Sequence, residues 1–515
     1  MNDQHINKVS LRKRALPMSV HQTGSGVDSL NKGDKSDIED DTSDSQHSSP
    51  LQRLALRFTN WTERWFPDSY VIALIALVMV CAAALLIGAS PSNVVSAVGD
   101  GYWNLIPFTY QMSMVVITGF ALATCRPIRR GIERLVRIPK TGPGAIAFIV
   151  VISNFGSLIN WGFGMIFSAF VVMALARRPE LRMDFRAAAA AALLGNATTS
   201  MLGLSSSAAL LHATPSSLPE DLLLLSGEVP LTETVFLWQN GAVIAIVTTI
   251  AAAIGYRIAP RGATVRTAAD LGIDAAKLGL EEDETGSTRP GDWLSNSPLL
   301  TIVIGGLSIT WIVTTMIDIG PLKTISNLNN YIFICLTLAF LFHWRIRRFL
   351  KAAYDAVPAI GAILIQFPIY AAVAAVIITA ENANGKSVST YLGDLFVAVG
   401  GAHTLPLLVG LYSIIMGLFV PSAGAKWVLE APYILHAANE SETHLGWMIN
   451  VYGGTEAVAN LLNPFFMLPL LGLLHLRPRN VVGYTFVYFV FLAPVMLGCT
   501  WLFSYTLDYH PPIIP

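Results

Sequence analysis

Apolar stretches of about twenty residues recur along this chain, and each is long enough to cross the hydrocarbon core of a bilayer. Lipid offers a bare backbone no hydrogen-bond partner, so segments of this kind must satisfy their own N–H and C=O groups. That one feature predicts an all-α polytopic membrane protein. Composition agrees, because the chain is 53% hydrophobic and only 13% charged, against about 25% charged in soluble proteins. A net charge of -1 gives no bulk electrostatic case for a nucleic-acid partner. The four cysteines, Cys81, Cys125, Cys335 and Cys499, lie in or beside apolar stretches and form no C-x-x-C pair. They read as small buried hydrophobes, and no metal site is expected.

Residues 1–50 are a different material, rich in Ser and Asp. They cannot bury enough apolar surface to order themselves, and they lack the apolar core of a secretory signal. A disordered cytoplasmic tail is expected there. Arg53, Arg57 and Arg64, mixed with Trp61, Trp65 and Phe66, suit a helix lying at the membrane interface.

Charge placement sets the course of the remainder. Spans are expected near residues 70–89, 102–125, 187–211, 234–256, 298–317, 331–343, 356–380, 445–474 and 481–507. Basic clusters such as Arg126, Arg129, Arg130 and Arg134, and Arg345, Arg347 and Arg348, mark cytoplasmic ends, which places the N-terminus inside. The segment 144–176 has basic clusters at both ends, so it starts and finishes on one side. It is expected to be a re-entrant hairpin with its tip at Asn160-Trp-Gly-Phe-Gly164. The apolar segment 405–438 is followed by Glu440 and Glu442 and is expected to be a second hairpin entering from the opposite face, with its tip at Pro421–Lys426. The expected units are a tail at 1–50, a first membrane repeat at 51–258, a cytoplasmic linker at 259–297, a linking helix at 298–328, a second repeat at 329–507 and a C-terminal tail at 508–515. Each repeat reads span, span, hairpin, broken span, span, in opposite orientations. Asp100 and Gln111 before the first hairpin match Asp355 and Gln366 before the second. Inverted repeats with broken helices meeting near the midplane are the plan of secondary transporters.

Four interruptions carry the chemistry. The first supplies Asn160, Trp161, Gly162 and Gly164. The second supplies Asn196, Thr199, Ser200, Ser205, Ser206 and Ser207. The third holds Pro421, Ser422, Gly424 and Lys426, and the fourth Thr455, Glu456, Asn460 and Asn463. Half-helix N-termini favour an anionic group, and Ser, Thr and Asn add neutral donors. A small carboxylate is therefore the expected substrate, with Na+ or H+ as coupling ion. Asn196, Thr455 and Glu456 are the coupling-ion candidates. Lys426 and Glu456 either pair only to neutralise two buried charges, or Lys426 meets the substrate while Glu456 serves the coupling ion. Gln111 and Gln366 are expected to pack helices through hydrogen bonds. Trp161 and Trp427 either wall the site or fill the core. His212, His403, His436 and His444 are expected to be solvated at the outer face.

Several strings resemble the bacterial short-chain fatty acid transporter family: Gly99-Asp-Gly-Tyr-Trp-Asn-Leu105, Ile159-Asn-Trp-Gly-Phe-Gly164, Gln366-Phe-Pro-Ile-Tyr370, Val420-Pro-Ser-Ala-Gly424 and Asn463-Pro-Phe-Phe-Met-Leu-Pro469. The resemblance runs over residues 51–507. It implies a scaffold, a mobile domain carrying the hairpins, an elevator-type carrier, and movement of short monocarboxylates such as butyrate or acetoacetate across the inner membrane. Related elevator carriers are often homodimers. This chain departs from the pattern at Ala423, Ala425 and Lys426, where the family's second tip is Gly-rich and then neutral or titratable. It also departs at 199–204, where a Gly-rich run is expected, and before Glu456. Lys426 either replaces a bound Na+ or selects a different substrate. The alternatives are a dicarboxylate carrier, a cation/proton antiporter, a passive channel and a membrane-embedded enzyme. No catalytic constellation supports the last, so the chain is read as a transporter and not an enzyme.

Overall fold

A computed structural model describes Arg64 and residues 69–275, 296–401, 403–419 and 423–513. The expected tail, the interfacial segment at 51–66 apart from Arg64, residues 276–295 of the linker, and Pro421 and Ser422 lie outside the described residues.

Helices account for the described membrane body, with a lone bridge between Gly227 and Ile513 as the one β-type pairing among those residues. The first half holds α1 (Ser69–Leu86), α2 (Pro91–Gly101), α3 (Ile106–Thr124), α4 (Arg126–Leu135), α5 (Gly142–Ile159), α6 (Trp161–Ala176) and α7 (Phe185–Leu194). A wide turn at Gly195–Thr199 and a tight one at Ser200–Leu202 then interrupt the chain before α8 (Ser207–His212). α9 (Glu220–Ser226) and α10 (Trp238–Ile258) complete this half. α11 (Leu299–Ile319) and α12 (Pro321–Ser326) link it to the second half. That half holds α13 (Leu328–His343), α14 (Ile346–Thr379), α15 (Val388–Val399), α16 (Leu405–Phe419), α17 (Ala423–Glu440), α18 (Leu445–Ala459), α19 (Pro464–Leu473) and α20 (Pro478–Ser504).

Local chemistry sets many of these boundaries. Ser90 N-caps α2, its hydroxyl accepting from the Asn93 N–H at 3.2 Å, with Pro91 in the first helical position. Residues 91–101, which lie between two of the expected spans, are thus helical. Asp184 caps α7 by accepting from the Ala187 N–H at 2.9 Å, and it also accepts from the Arg266 N–H at 2.9 Å. One buried carboxylate therefore starts a membrane helix and anchors the linker to it.

Seven helical stretches among the described residues are long and apolar enough to cross a membrane, and the protein is a multi-pass membrane protein. The spans expected near 70–89, 331–343 and 445–474 are built from shorter helices, whereas α5, an arm of the first expected hairpin, has spanning length. The α2–α3 stretch Pro91–Thr124 and α14 are both 34 residues long. Asp100 and Asp355 are the tenth residues of these two stretches, and Gln111 and Gln366 the twenty-first.

The helices pack in two groups. α14 lies along α3, α1 and α2, and α13 packs on α3. The other group centres on α18, every residue of which is buried, with α16, α17 and α20 packed on it; α5, α7 and α10 pack on one another and, through α7 and α10, on α20. α6 joins the groups by packing on α3, and α17 joins them by packing on α14. The two chain reversals differ. α5 and α6 pack against each other along their length, whereas α16 leans on α18 and α20, and α17 on α14, α15 and α18. α15 was not foreseen, because its sequence follows Gly- and Asn-rich turns and reads as part of an outer loop.

Candidate functional site

A cavity of about 300 Å³ lies where the interruptions meet. Trp161 comes from the first chain reversal; Asn196, Ser200 and Ser207 come from the break after α7. Gly424 comes from the start of α17, and Glu456 and Asn460 from the end of α18. Met112, Met165, Ile363, Phe367, Phe466 and Pro469 supply the apolar wall, and Gln366 adds a polar group. A larger cavity of about 560 Å³ beside α4, α5 and α6 is lined almost entirely by apolar side chains and offers no comparable donor set.

Several residues expected to touch substrate build the walls instead. Asn160 adopts extended backbone angles between α5 and α6 and caps α6, accepting from the Phe163 N–H at 2.9 Å. Its amide nitrogen donates to the Val115 carbonyl at 3.4 Å, so the side chain faces α3. Gly162 and Gly164 serve close approach. A Cβ on Gly162 would lie 3.4 Å from the Val116 Cα, and one on Gly164 only 2.5 Å from the Ser157 backbone nitrogen. Ser205 accepts from the Trp161 N–H at 2.8 Å, which ties the first break to the second. Ser206 caps α8. Thr199 donates to backbone carbonyls of Asn154 and Gly195. Thr455 donates to the Val451 carbonyl, and Asn463 to the Leu418 carbonyl at 3.2 Å. A side chain spent on a backbone carbonyl is a poor ligand donor, so these residues position the walls.

Asn196 and Ser200 combine both roles. The Ser157 hydroxyl donates to the Asn196 Oδ1 at 2.7 Å, and Ser200 donates to the Asn196 carbonyl at 2.9 Å. The wide turn that holds Asn196 and the tight turn that Ser200 opens interrupt the ordinary helical ladder beside the cavity. Asn460 lines the cavity with its Oδ1 buried and without a hydrogen-bond partner among the described residues. The same holds for both carboxylate oxygens of Glu456. Unsatisfied buried acceptors in a native cavity call for a ligand, an ion or a proton.

Lys426 does not reach across to Glu456 as an exclusive partner. Its side chain is fully buried, with Nζ 3.5 Å from the Glu430 carboxylate, 3.3 Å from the Ser413 carbonyl and 4.7 Å from the centre of the Tyr452 ring. The pairing follows helix geometry, because residues four apart lie on one face. Tyr452 also donates to the Ala423 carbonyl at 2.6 Å, fixing the first turn of α17 to α18. Sequence reading took Glu456 as the one well-placed buried carboxylate and missed Glu430. The four-residue spacing from Lys426 was the available signal.

Two of the histidines differ from expectation as well. His212 is fully buried, accepting from the Trp427 Nε1–H at 3.0 Å and sharing a 2.9 Å hydrogen bond with Ser226. Trp427 therefore packs in the core, between His212 and Tyr452. His444 is buried as the cap of α18 and lies 2.9 Å from the Glu233 carboxylate. His403 is exposed and stacks on Tyr505, and His436 is half-buried.

The family model for the short chain fatty acid transporter matches residues 50–503. The chain belongs to that family. Two relatives, from Escherichia coli (strain K12) and Haemophilus influenzae, carry the name "Putative short-chain fatty acid transporter". Each is 27% identical to this chain and covers 87% of it; the aligned regions span 99% and 98% of the relatives. The YdaH transporter of Alcanivorax borkumensis shares the fold, with a TM-score of 0.53 at 14% identity, over 85% of this chain and 98% of that one. This short-chain fatty acid transporter family member is accordingly a transporter and not an enzyme. Its cavity is walled by the motif strings that sequence reading singled out: 159–164, 366–370, the described part of 420–424, and 463–469.

Proposed function

We propose that the protein carries short monocarboxylates of the butyrate and acetoacetate type across a bacterial inner membrane, coupled to H+ or Na+, by an elevator-like alternation. The observation that carries this reading is the two-sided cavity. Neutral polar groups from Asn196, Ser200, Ser207 and Asn460 face an apolar wall from Met165, Ile363, Phe367 and Phe466. That division suits a short acid with one polar end and one hydrocarbon end. The volume of about 300 Å³ is at the small end for ligand pockets. An inverted repeat is supported by the two equal 34-residue stretches with Asp and Gln in matching places. The paired contacts α3 with α6 and α14 with α17 support it too. The two packing groups suit a fixed scaffold and a moving body. The N-terminus is placed in the cytoplasm on the positive-inside argument, and a homodimer remains the working assembly.

A dicarboxylate was attractive while Lys426 was free to meet a second acid group. Its contact with Glu430 removes that attraction. The test is exchange of labelled butyrate in proteoliposomes preloaded with unlabelled butyrate and carrying no imposed gradient. Saturable exchange above protein-free vesicles, competed by short monocarboxylates and not by succinate, is expected. Competition by succinate alone would remove the monocarboxylate reading.

A further inference from the structure

Three ionisable side chains share one buried region: Lys426 and Glu430 on α17, and Glu456 on α18, each fully buried. Glu430 lies 3.5 Å from Lys426 and Glu456 lines the substrate cavity, so the two carboxylates have different neighbours. Both also lie within electrostatic reach of Lys426 and of each other. Tyr412 from α16, Tyr433 from α17 and Tyr452 from α18 are the other titratable groups facing the cluster, and Tyr412 and Tyr433 hydrogen-bond each other at 2.8 Å. Gln366 from α14 and Asn196 and Ser200 from the break face Glu456 across the cavity with neutral groups.

Counting charge decides the state of such a cluster. One ammonium and two ionised carboxylates leave an uncompensated negative charge in a buried site, which is expensive. A single proton brings the sum to zero. Glu430 lies directly against Lys426 at 3.5 Å, whereas Glu456 opens on the cavity, so Glu456 is the better place for the proton. Its two unpartnered oxygens open on the cavity, where water or substrate delivers it. A monovalent metal cation would balance the same charge, but it needs several oxygen ligands at once, whereas a proton needs only one of the unpartnered Glu456 oxygens.

We propose that Lys426, Glu430 and Glu456 form a one-proton site, in which Lys426 is the resident cation, Glu430 its fixed counter-charge and Glu456 the carrier of the coupling proton. This rests on the carrier reading above and deepens it by naming the coupling ion. The protonated cluster is neutral and accepts a substrate anion; the deprotonated cluster repels it. Anion and proton therefore bind with mutual reinforcement, and transport is independent of Na+. Glu456 is the proton-binding residue, while Lys426 and Glu430 are positioning residues.

Two experiments separate this from the substrate reading. Infrared difference spectra of the full-length protein in detergent at neutral pH report protonated carboxyl groups without any substrate. One such band is expected in the wild type. Glu456→Gln should remove it. Lys426→Met should strengthen it, because without the ammonium both carboxylates must be protonated for the site to be neutral. No band in the wild type, or no gain in Lys426→Met, overturns the proposal. In proteoliposomes, the protein-dependent initial rate of butyrate uptake should follow an imposed pH gradient and ignore replacement of Na+ by K+. Protein-free vesicles supply the correction for neutral acid crossing the bilayer unaided. Glu456→Gln should lose at least tenfold of that net uptake, while a monodisperse chromatographic peak and wild-type thermal unfolding in detergent show that the variant is folded. Na+-driven uptake, or pH-driven uptake undiminished in Glu456→Gln, overturns it. Absence of any butyrate exchange in the wild type counts against the substrate reading alone, and the infrared result then decides the proton site.

Discussion

Gly195→Ala is the sharpest test of how the cavity is held. Gly195 opens the wide turn after α7, and a Cβ there would sit 2.1 Å from the Ser153 carbonyl oxygen and 2.4 Å from its carbon. Ordinary contact begins near 3.4 Å, so α5 and the turn must part by roughly 1.3 Å. The obstructing atoms are backbone, which no side-chain rotation can move. Parting would strain two hydrogen bonds, from the Gly195 N–H to the Ser153 hydroxyl at 2.9 Å and from that hydroxyl to the Ala192 carbonyl at 2.7 Å. About 1 kcal/mol for each bond, with about 1–3 kcal/mol for overpacking, gives a loss of about 3–5 kcal/mol. Thermal unfolding in detergent, followed by loss of the monodisperse chromatographic peak, reads this. Gly241→Ala, Gly306→Ala and Gly498→Ala are the controls, because a Cβ at each meets nothing within 4 Å. Those three should melt at or slightly above the wild-type temperature, since Ala is the better helix former. If Gly195→Ala melts with the controls and transports normally, the close approach of α5 to the broken segment is wrong.

Asn160→Ala removes the cap of α6 and should cost about 1 kcal/mol, while Asn160→Ser should keep most of the stability; thermal unfolding of both distinguishes a capping residue from a substrate ligand. Trp427→Phe removes the donor to His212 and leaves a buried ring nitrogen unpaired, a loss of about 1–3 kcal/mol; a double-mutant cycle with His212→Leu should recover part of it. Gln111 donates to Ser217 and to Asn329, both at 2.7 Å, so Gln111→Leu should lower the melting temperature more than Asn329→Ala, and equal effects would show that Ser217 contributes nothing.

The interruptions were legible because Asn, Gly, Ser and Pro are rare companions for a membrane-length apolar run. Asn160, Gly195 to Ser207, and Asn460 to Asn463 all fall where helices end. Their individual roles were less legible. A hydroxyl that lines a cavity and one that donates to a carbonyl a turn earlier look the same in sequence, and Ser200, Thr199 and Thr455 divide between these uses only in three dimensions. Glu430 was hidden by its apolar surroundings, and its meaning comes from Lys426 one turn away. His212 was misplaced because the positive-inside argument gives the side of the membrane on which a residue lies but carries no information about burial. α2 and α15 were missed because short helices with Ser caps resemble turns when read by composition.

Among its residues α11 buries only Thr301 and Gly305, the latter pressed against Leu341 of α13. Ile302, Val303, Leu307 and Ile317 point away from the protein. For most of this helix, then, the packing partner is whatever apolar medium surrounds the molecule. Extraction from lipid exchanges that partner for detergent along nearly its whole length, while α18, wrapped on every side by protein, keeps all of its neighbours. Solubilised preparations will therefore report faithfully on the body around the cavity and poorly on α11, and the two should respond differently to the choice of detergent chain length.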